Sequence, residues 1–214
     1  LYFAIAHEGT PEALREGFKY FLFNVAGAGF LFLGIGLIVA YTGTGGFAGV
    51  AKGFASLPPA VGTSIMILMA VGFCMKAAQV SLRIDWQMHP ALAPTPVSGY
   101  ISSVLLKIAV FGLVKLFLVF GSVYAQSPDT AGLFSQQAVM YAAAWIGAFT
   151  LLYSAVQAML QNSLKLVFIW STVSQIGYMV LGVAVGTSLG MAGGLLHMAN
   201  HVFFKDLLFL MVGA

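Results

Sequence analysis

Six stretches of the chain are predominantly apolar over the length of a bilayer crossing: residues 18–41, 60–82, 98–122, 137–160, 164–186 and 189–213. About twenty such residues carry an α-helix across the hydrocarbon core. None shows the sustained apolar–polar alternation of a barrel strand, which argues against a transmembrane β-barrel. The pattern predicts an all-α integral membrane protein with about six transmembrane helices, forming a single transmembrane domain over residues 1–214. Loops are expected at "YTGTGGFAGVAKGFASLPP", "DWQMHPALAPTP" and "YAQSPDTAGLFSQ", and very short turns at Gln161–Asn162 and Thr187–Ser188.

Local signals mark two helix starts. Thr10 can cap the first helix, Pro11 suits its first position, and Glu12 faces the positive end of the helix dipole. In "HPALAPTPVSGYISS", Pro94 and Pro96 are expected to hold off the helix until about Val97, with Ser98 as its cap. Small residues recur inside the spans, as in "VAGAGFLFLGIG" and "LGMAGGLL", and permit close helix packing.

Composition sharpens the class. The chain is 60% hydrophobic and only 7% charged, where soluble domains carry about a quarter charged residues. The net charge of +3 needs no nucleic-acid partner, because the basic residues lie inside spans or at their ends. A single cysteine, Cys74, excludes a disulfide framework. No secretory signal is present. The opening "LYFAIAHEG" reads as the tail of a preceding span and the closing "LLFLMVGA" as the inside of another, so the chain is expected to be an internal piece of a longer protein. With six alternating spans, Arg15, Lys19, Arg83 and Lys165 fall on one side and Lys52, with Asp129, on the other. The positive-inside rule then makes the first side cytoplasmic or its topological equivalent.

The few charges lie where they are least expected. Lys107 sits mid-span in "VSGYISSVLLKIAVFGLVKLFLVFG". A lysine at that depth costs roughly 2.5–3.5 kcal/mol on insertion scales and requires a compensating site. Lys115 lies nearer the far end and reads as an anchor reaching the interface. Lys76 interrupts "MAVGFCMKAAQVSLRIDW". It either snorkels to the near interface, a long reach from its position, or is a buried amine. Desolvation disfavours the charged form of a buried amine, which then exchanges a proton unless a carboxylate holds it charged.

In "HMANHVFFKDLLF", His197, His201 and Lys205 stand at i, i+4 and i+8, one slowly drifting stripe of a helix. Core histidines satisfied by hydrogen bonds are one reading; a proton relay of imidazoles leading to an amine is the other. A zinc site normally needs a third ligand, and none is evident, so no metal is expected. Asp206 follows Lys205 directly and points elsewhere on the helix, so it needs its own partner. Ser171, Thr172, Ser174 and Gln175 in "STVSQIGYM" are read as interhelical hydrogen-bonding groups. No cysteine cluster, haem-ligand pattern, glycine-rich nucleotide loop or nucleophile–base pair is present, so no catalytic residue and no cofactor is expected in this chain.

Taken together, "KYFLFN" with "YTGTGGF", "KAAQVSL", "HPALAPTPVSGYISSVLLK", "LKLVFIWSTVSQIGYM" and "LLHMANHVFFKDLLFL" resemble the proton-conducting, antiporter-like membrane subunits of respiratory complex I, Mrp-type cation/proton antiporters and membrane-bound hydrogenases. The motifs occur in the family's order and cover nearly the whole chain. The resemblance implies that Lys76 is a central proton carrier, that Lys107 is the lysine of the following span, and that His197, His201 and Lys205 continue the relay. It implies a partner glutamate upstream of "KYF", outside this chain, and a larger bundle of about fourteen spans in two inverted repeats with discontinuous helices at the sites. The chain departs from the family at "SLRIDWQMHP", where Ser81 replaces a proline and Arg83 a histidine, and at Asp206, which replaces a small residue. The loop "HPALAPTPVSGYIS" leans toward the antiporter and hydrogenase branches.

The function expected is proton or Na⁺/H⁺ translocation as one subunit of a redox-driven complex or an antiporter. Its partners are other membrane subunits and the lipid bilayer. Its location is a bacterial or archaeal cell membrane, with an organellar inner membrane as the alternative. The rival readings are a secondary transporter of a small anionic substrate, which lysines without a matching acid would favour, and a structural membrane subunit that conducts nothing.

Overall fold

A computed structural model of the chain describes residues 2–54, 56–79, 93–124 and 136–213. Arg83, Asp85, Asp129 and most of the two longer loops lie outside the described residues. In order, the elements are α1 (Tyr2–Ile5), α2 (Pro11–Thr42), α3 (Phe47–Phe54), α4 (Pro59–Lys76), α5 (Thr95–Tyr100), a π-helical segment (Ile101–Leu105), α6 (Leu106–Tyr124), α7 (Gln136–Met159), α8 (Leu164–Ala184) and α9 (Ser188–Gly213). Among the described residues, six helical stretches are long and apolar enough to cross a membrane. Each overlaps one of the six stretches read from hydropathy. Large apolar side chains such as Phe32, Trp145 and Phe203 stand on the outside, where a bilayer rather than water suits them.

The first span begins as its sequence requires. The Ala13 amide donates to Thr10 Oγ1 at 3.2 Å, and Pro11 opens the helix. α2 packs along α4, and α6 lies against α3, α4 and α8. On the other side, α7, α8 and α9 form a tight antiparallel trio. The glycines explain how tight it is. A Cβ on Gly177 would meet the Leu151 amide nitrogen at 2.6 Å and the Gly147 carbonyl at 2.7 Å. The α7–α8 crossing is therefore backbone on backbone, where van der Waals contact substitutes for the absent hydrophobic drive between helices in lipid. The π-segment and α5 pack on α9, joining the two groups of helices.

Three sequence expectations are corrected. The second span does not run to residue 82: α4 ends at Lys76. The Gln79 amide donates back to the Cys74 carbonyl, and Ala78 takes the left-handed conformation at φ 53°. These bonds make a Schellman-type helix end, with alanine where glycine is usual. The third span starts at Thr95, before Val97, with Pro94 at the capping position. Pro96 falls in the first turn, whose amides have no helical partner to lose. Ser98 is therefore inside the helix and buried, and it is not a cap. Finally, the first loop holds a helix, α3, folded back against the end of α2, where Thr42 and Thr44 crowd Gly53 and Gly49.

The Lys165 amine, at the start of α8, donates to the carbonyl of Ala93, just before α5. The starts of these two spans therefore share one end of the bundle, as the alternating topology requires. Lys52 lies in the connection between the first two spans, exposed on α3.

Candidate functional site

The π-segment creates the first feature of the site. In an α-helix the Leu106 amide would bond the carbonyl four residues back, that of Ser102. Here it bonds Ile101, five back. The Leu106 amide thus leaves the Ser102 carbonyl. The Lys107 amine takes it. Lys107 is 4% exposed, so its charge is held inside the bundle and away from lipid. The sequence places Lys107 at depth but gives no sign of the π-turn that accommodates it.

Lys205 is answered from α8. Its Nζ donates to Ser171 Oγ at 3.0 Å and stands 5.2 Å from the centre of the Phe168 ring. Phe168, Ser171 and Thr172 are spaced i, i+3 and i+4, so they share one helix face. Thr172 Oγ1 reaches Ser102 Oγ at 2.6 Å, both hydroxyls being buried. Sequence reasoning treats Ser171 and Thr172 as ordinary interhelical hydrogen-bonding groups. That describes Ser171 and Thr172, and also Ser174, which donates to the Leu151 carbonyl at 3.0 Å. It misses that Ser171 and Phe168 hold a lysine; their register against Lys205 emerges only from the packing of α8 on α9.

The two histidines lie on the same stripe of α9 as Lys205. The His197 and His201 rings are 6.2 Å apart, edge to face. His201 and Lys205 are fully buried. Neither ring nitrogen of His201 has a hydrogen-bond partner among the described residues, nor has His197 Nε2. Buried polar atoms of this kind normally find a partner in protein or water. His197 is half-buried beside Tyr178 and opens on a cleft of about 550 Å³, floored by Gly190, Gly193 and Gly194.

Lys76 is set apart. As the last residue of α4 it reaches into a cleft of about 320 Å³ between α2, α4 and α6, lined by Tyr20, Asn24, Phe73 and Ile108 among others. Its Nζ makes one long contact, 3.4 Å, to the Asn24 carbonyl. Among the described residues no carboxylate pairs with it. Asp206 is on α9, exposed, with Oδ1 beside Gly99. The structure therefore gathers Lys107, His197, His201 and Lys205 into one interior region and leaves Lys76 facing its own cleft. Leu105, Leu106, Ile108 and Ala109 border that cleft while Lys107 turns inward.

The whole chain, residues 1–214, matches the family model described as NADH:quinone oxidoreductase/Mrp antiporter, TM. It is similar to NADH-quinone oxidoreductase subunit L of Mycobacterium tuberculosis (strain CDC 1551 / Oshkosh), 37% identical over 95% of this chain and 30% of that one. It is also similar to hydrogenase-4 component B of Escherichia coli (strain K12), 30% identical over 100% of this chain and 32% of that one. Among solved structures, a chain of the membrane-bound sulfane sulfur reductase, an archaeal respiratory membrane complex, shares the fold. Its TM-score is 0.85 at 24% identity, covering 99% of this chain and 42% of that one. The chain thus spans less than half the length of these relatives. The six-helix architecture and the sequence agree, and the chain belongs to the transmembrane NADH:quinone oxidoreductase/Mrp antiporter family.

Proposed function

We propose that the chain carries protons through the membrane interior as part of a larger multisubunit membrane complex, along a hydrated line from Lys76 past Lys107 to Lys205, His201 and His197. The observation that carries this reading is the cluster of Lys107, Lys205 and His201, each at most 4% exposed, with both His201 nitrogens lacking a protein partner among the described residues. Buried ionisable groups are expensive in a membrane and are kept for ion pathways. A buried imidazole has one nitrogen that gives a proton and one that takes it, so two open nitrogens suit a water-linked relay.

Each residue then has a role. Lys76, with a single long contact, exchanges charge with a carboxylate supplied from outside this chain. Lys107 passes the charge inward. Lys205 is steadied in its ammonium form by Ser171 and the Phe168 ring. The histidines carry the proton toward the cleft at Tyr178. A redox reaction elsewhere in the complex, or a counter-ion gradient, biases which lysine is charged, and that bias is the coupling. The test uses the full-length protein in its native complex, reconstituted in vesicles, with lumen pH followed by a dye. Lys107→Ala should abolish or strongly reduce proton movement while assembly is unchanged. Wild-type proton movement by that variant would overturn the proposal.

A further inference from the structure

We infer that the Thr172 hydroxyl is a latch that positions Lys107, acting from another helix through Ser102. The inference rests on the proposed proton-carrying role of Lys107 and adds a positioning pair to it.

The hydrogens can be counted. Thr172 has one hydroxyl hydrogen, and its oxygen lies 2.8 Å from the Phe168 carbonyl, the i−4 acceptor on α8. With that hydrogen donated to Phe168, Thr172 Oγ1 is an acceptor toward Ser102, and Ser102 Oγ is the donor across the 2.6 Å contact. Ser102 is then fixed at both ends. Its hydroxyl is tied to α8, and its carbonyl, which the Leu106 amide leaves at the π-turn, holds the Lys107 amine.

The π-segment is the strained partner in this arrangement. Such segments occur mostly as single insertions in α-helices and often at functional sites. If Ile101–Leu105 wound back to α-helix, the Leu106 amide would recover the Ser102 carbonyl and compete with the Lys107 amine for it. The Ser102–Thr172 bond opposes that slide, because rewinding would pull a buried hydroxyl off its acceptor. On α8, Thr172 follows Ser171, which holds Lys205, and sits one turn from Phe168, whose ring faces Lys205. One face of α8 therefore fixes the spacing between the two buried lysines. Among the described residues, the Thr172 hydroxyl bonds Ser102 and its own helix's Phe168 carbonyl and not either amine, so it reaches Lys107 through Ser102.

The test separates hydroxyl from volume. In the full-length protein within its complex, proton movement per assembled complex is measured for Thr172→Val, Thr172→Ser, Ser102→Ala and the double variant Ser102→Ala/Thr172→Val, beside Lys107→Ala. Thr172→Val keeps the shape and removes the hydroxyl, and should slow proton movement roughly three- to tenfold, the equivalent of one buried hydrogen bond. Thr172→Ser restores the hydroxyl with a smaller side chain and should recover most of the rate. Ser102→Ala should slow it by a similar factor or somewhat less, because Thr172→Val also removes the local bond to the Phe168 carbonyl. The double variant should be no slower than the slower single one, because both remove the same bond. Should Thr172→Val assemble poorly, Ser102→Ala removes the same bond from the other partner and is read in its place. Wild-type rates in Thr172→Val while Lys107→Ala is inactive would overturn the latch alone, as would full additivity in the double variant or no recovery with serine. Wild-type rates in Lys107→Ala would overturn the latch together with the relay beneath it.

Discussion

The Lys107 amine donates to the Ser102 carbonyl, which the Leu106 amide leaves at the π-turn. A lysine in the middle of a span usually calls for an acid on a neighbouring helix. Here the backbone supplies the acceptor, and the lysine is held without an ion pair among the described residues. A carbonyl is a weaker hold than a carboxylate, which suits the proton exchange proposed for this amine.

From this follows the outcome for charge-conserving replacement. Lys107→Arg keeps a cation of similar reach, yet guanidinium does not release its proton at any accessible pH. The variant should assemble normally and move protons at a fraction of the wild-type rate, with Lys107→Ala lower still. The measurement is the initial rate of dye-reported acidification in vesicles. Equal rates for Lys107→Arg and wild type would mean that charge alone, not proton exchange, is needed at this position.

A second expectation concerns stability. The α7–α8 crossing at Gly147 and Gly177 has no space for a side chain, and the atoms in the way belong to backbone. Gly177→Val should destabilise the bundle by about 1–3 kcal/mol, the usual range for overpacking. Gly29→Ala is the control, because a Cβ there meets nothing within 4 Å. Thermal unfolding of the two variants in detergent checks the contrast, and similar melting points would contradict the close crossing.

Much of this architecture was readable from hydropathy, because in lipid every backbone group must be satisfied within its own segment and long apolar runs have few alternatives to helix. The departures occur where a different rule decides. Lys76 ends α4 because the chain adopts a left-handed residue at Ala78, and nothing in "KAAQ" announces that as a glycine would. Thr95 starts α5 because Pro96 costs no hydrogen bond in a first turn. The burial of Lys107, His201 and Lys205 was legible, since ionisable residues mid-span have to face the bundle interior. The Ser102–Thr172 bond and the place of Phe168 under Lys205 were not, because they depend on how α6, α8 and α9 rotate against one another.

His201 offers a test in which function and stability part company. His201→Leu removes two buried nitrogens that have no protein partner among the described residues and replaces them with an apolar group of comparable size. No described protein hydrogen bond is lost with the ring, so the variant should be about as stable as wild type. Proton movement should be lost. Reading the melting point and the vesicle acidification rate on one preparation checks both halves. Undiminished proton movement in His201→Leu would remove the imidazole from the path.

The last prediction concerns the helix exit beside Lys76. Ala78 is a non-glycine residue in the left-handed region, φ 53°, a conformation costing L-residues roughly 1–2 kcal/mol. The cost is met because the Schellman-type bonds from Ala78 and Gln79 to Met75 and Cys74 close the helix end. Ala78→Gly keeps those bonds without the penalty, and its greater freedom in the unfolded chain offsets part of the gain. It should leave stability equal or up to about 1 kcal/mol higher, with proton movement retained. Ala78→Val is the opposite case, because a β-branched residue is a strong outlier in this region. To avoid the strain the chain would extend α4 past Lys76 or unwind its last turn. Either shift moves the Lys76 amine away from the Asn24 carbonyl and out of its present seat in the cleft. Ala78→Val should therefore lower both the melting point and the proton-movement rate, while Ala78→Gly lowers neither. If valine is tolerated in both measurements, the exit of α4 at Lys76 is not what sets the position of that lysine.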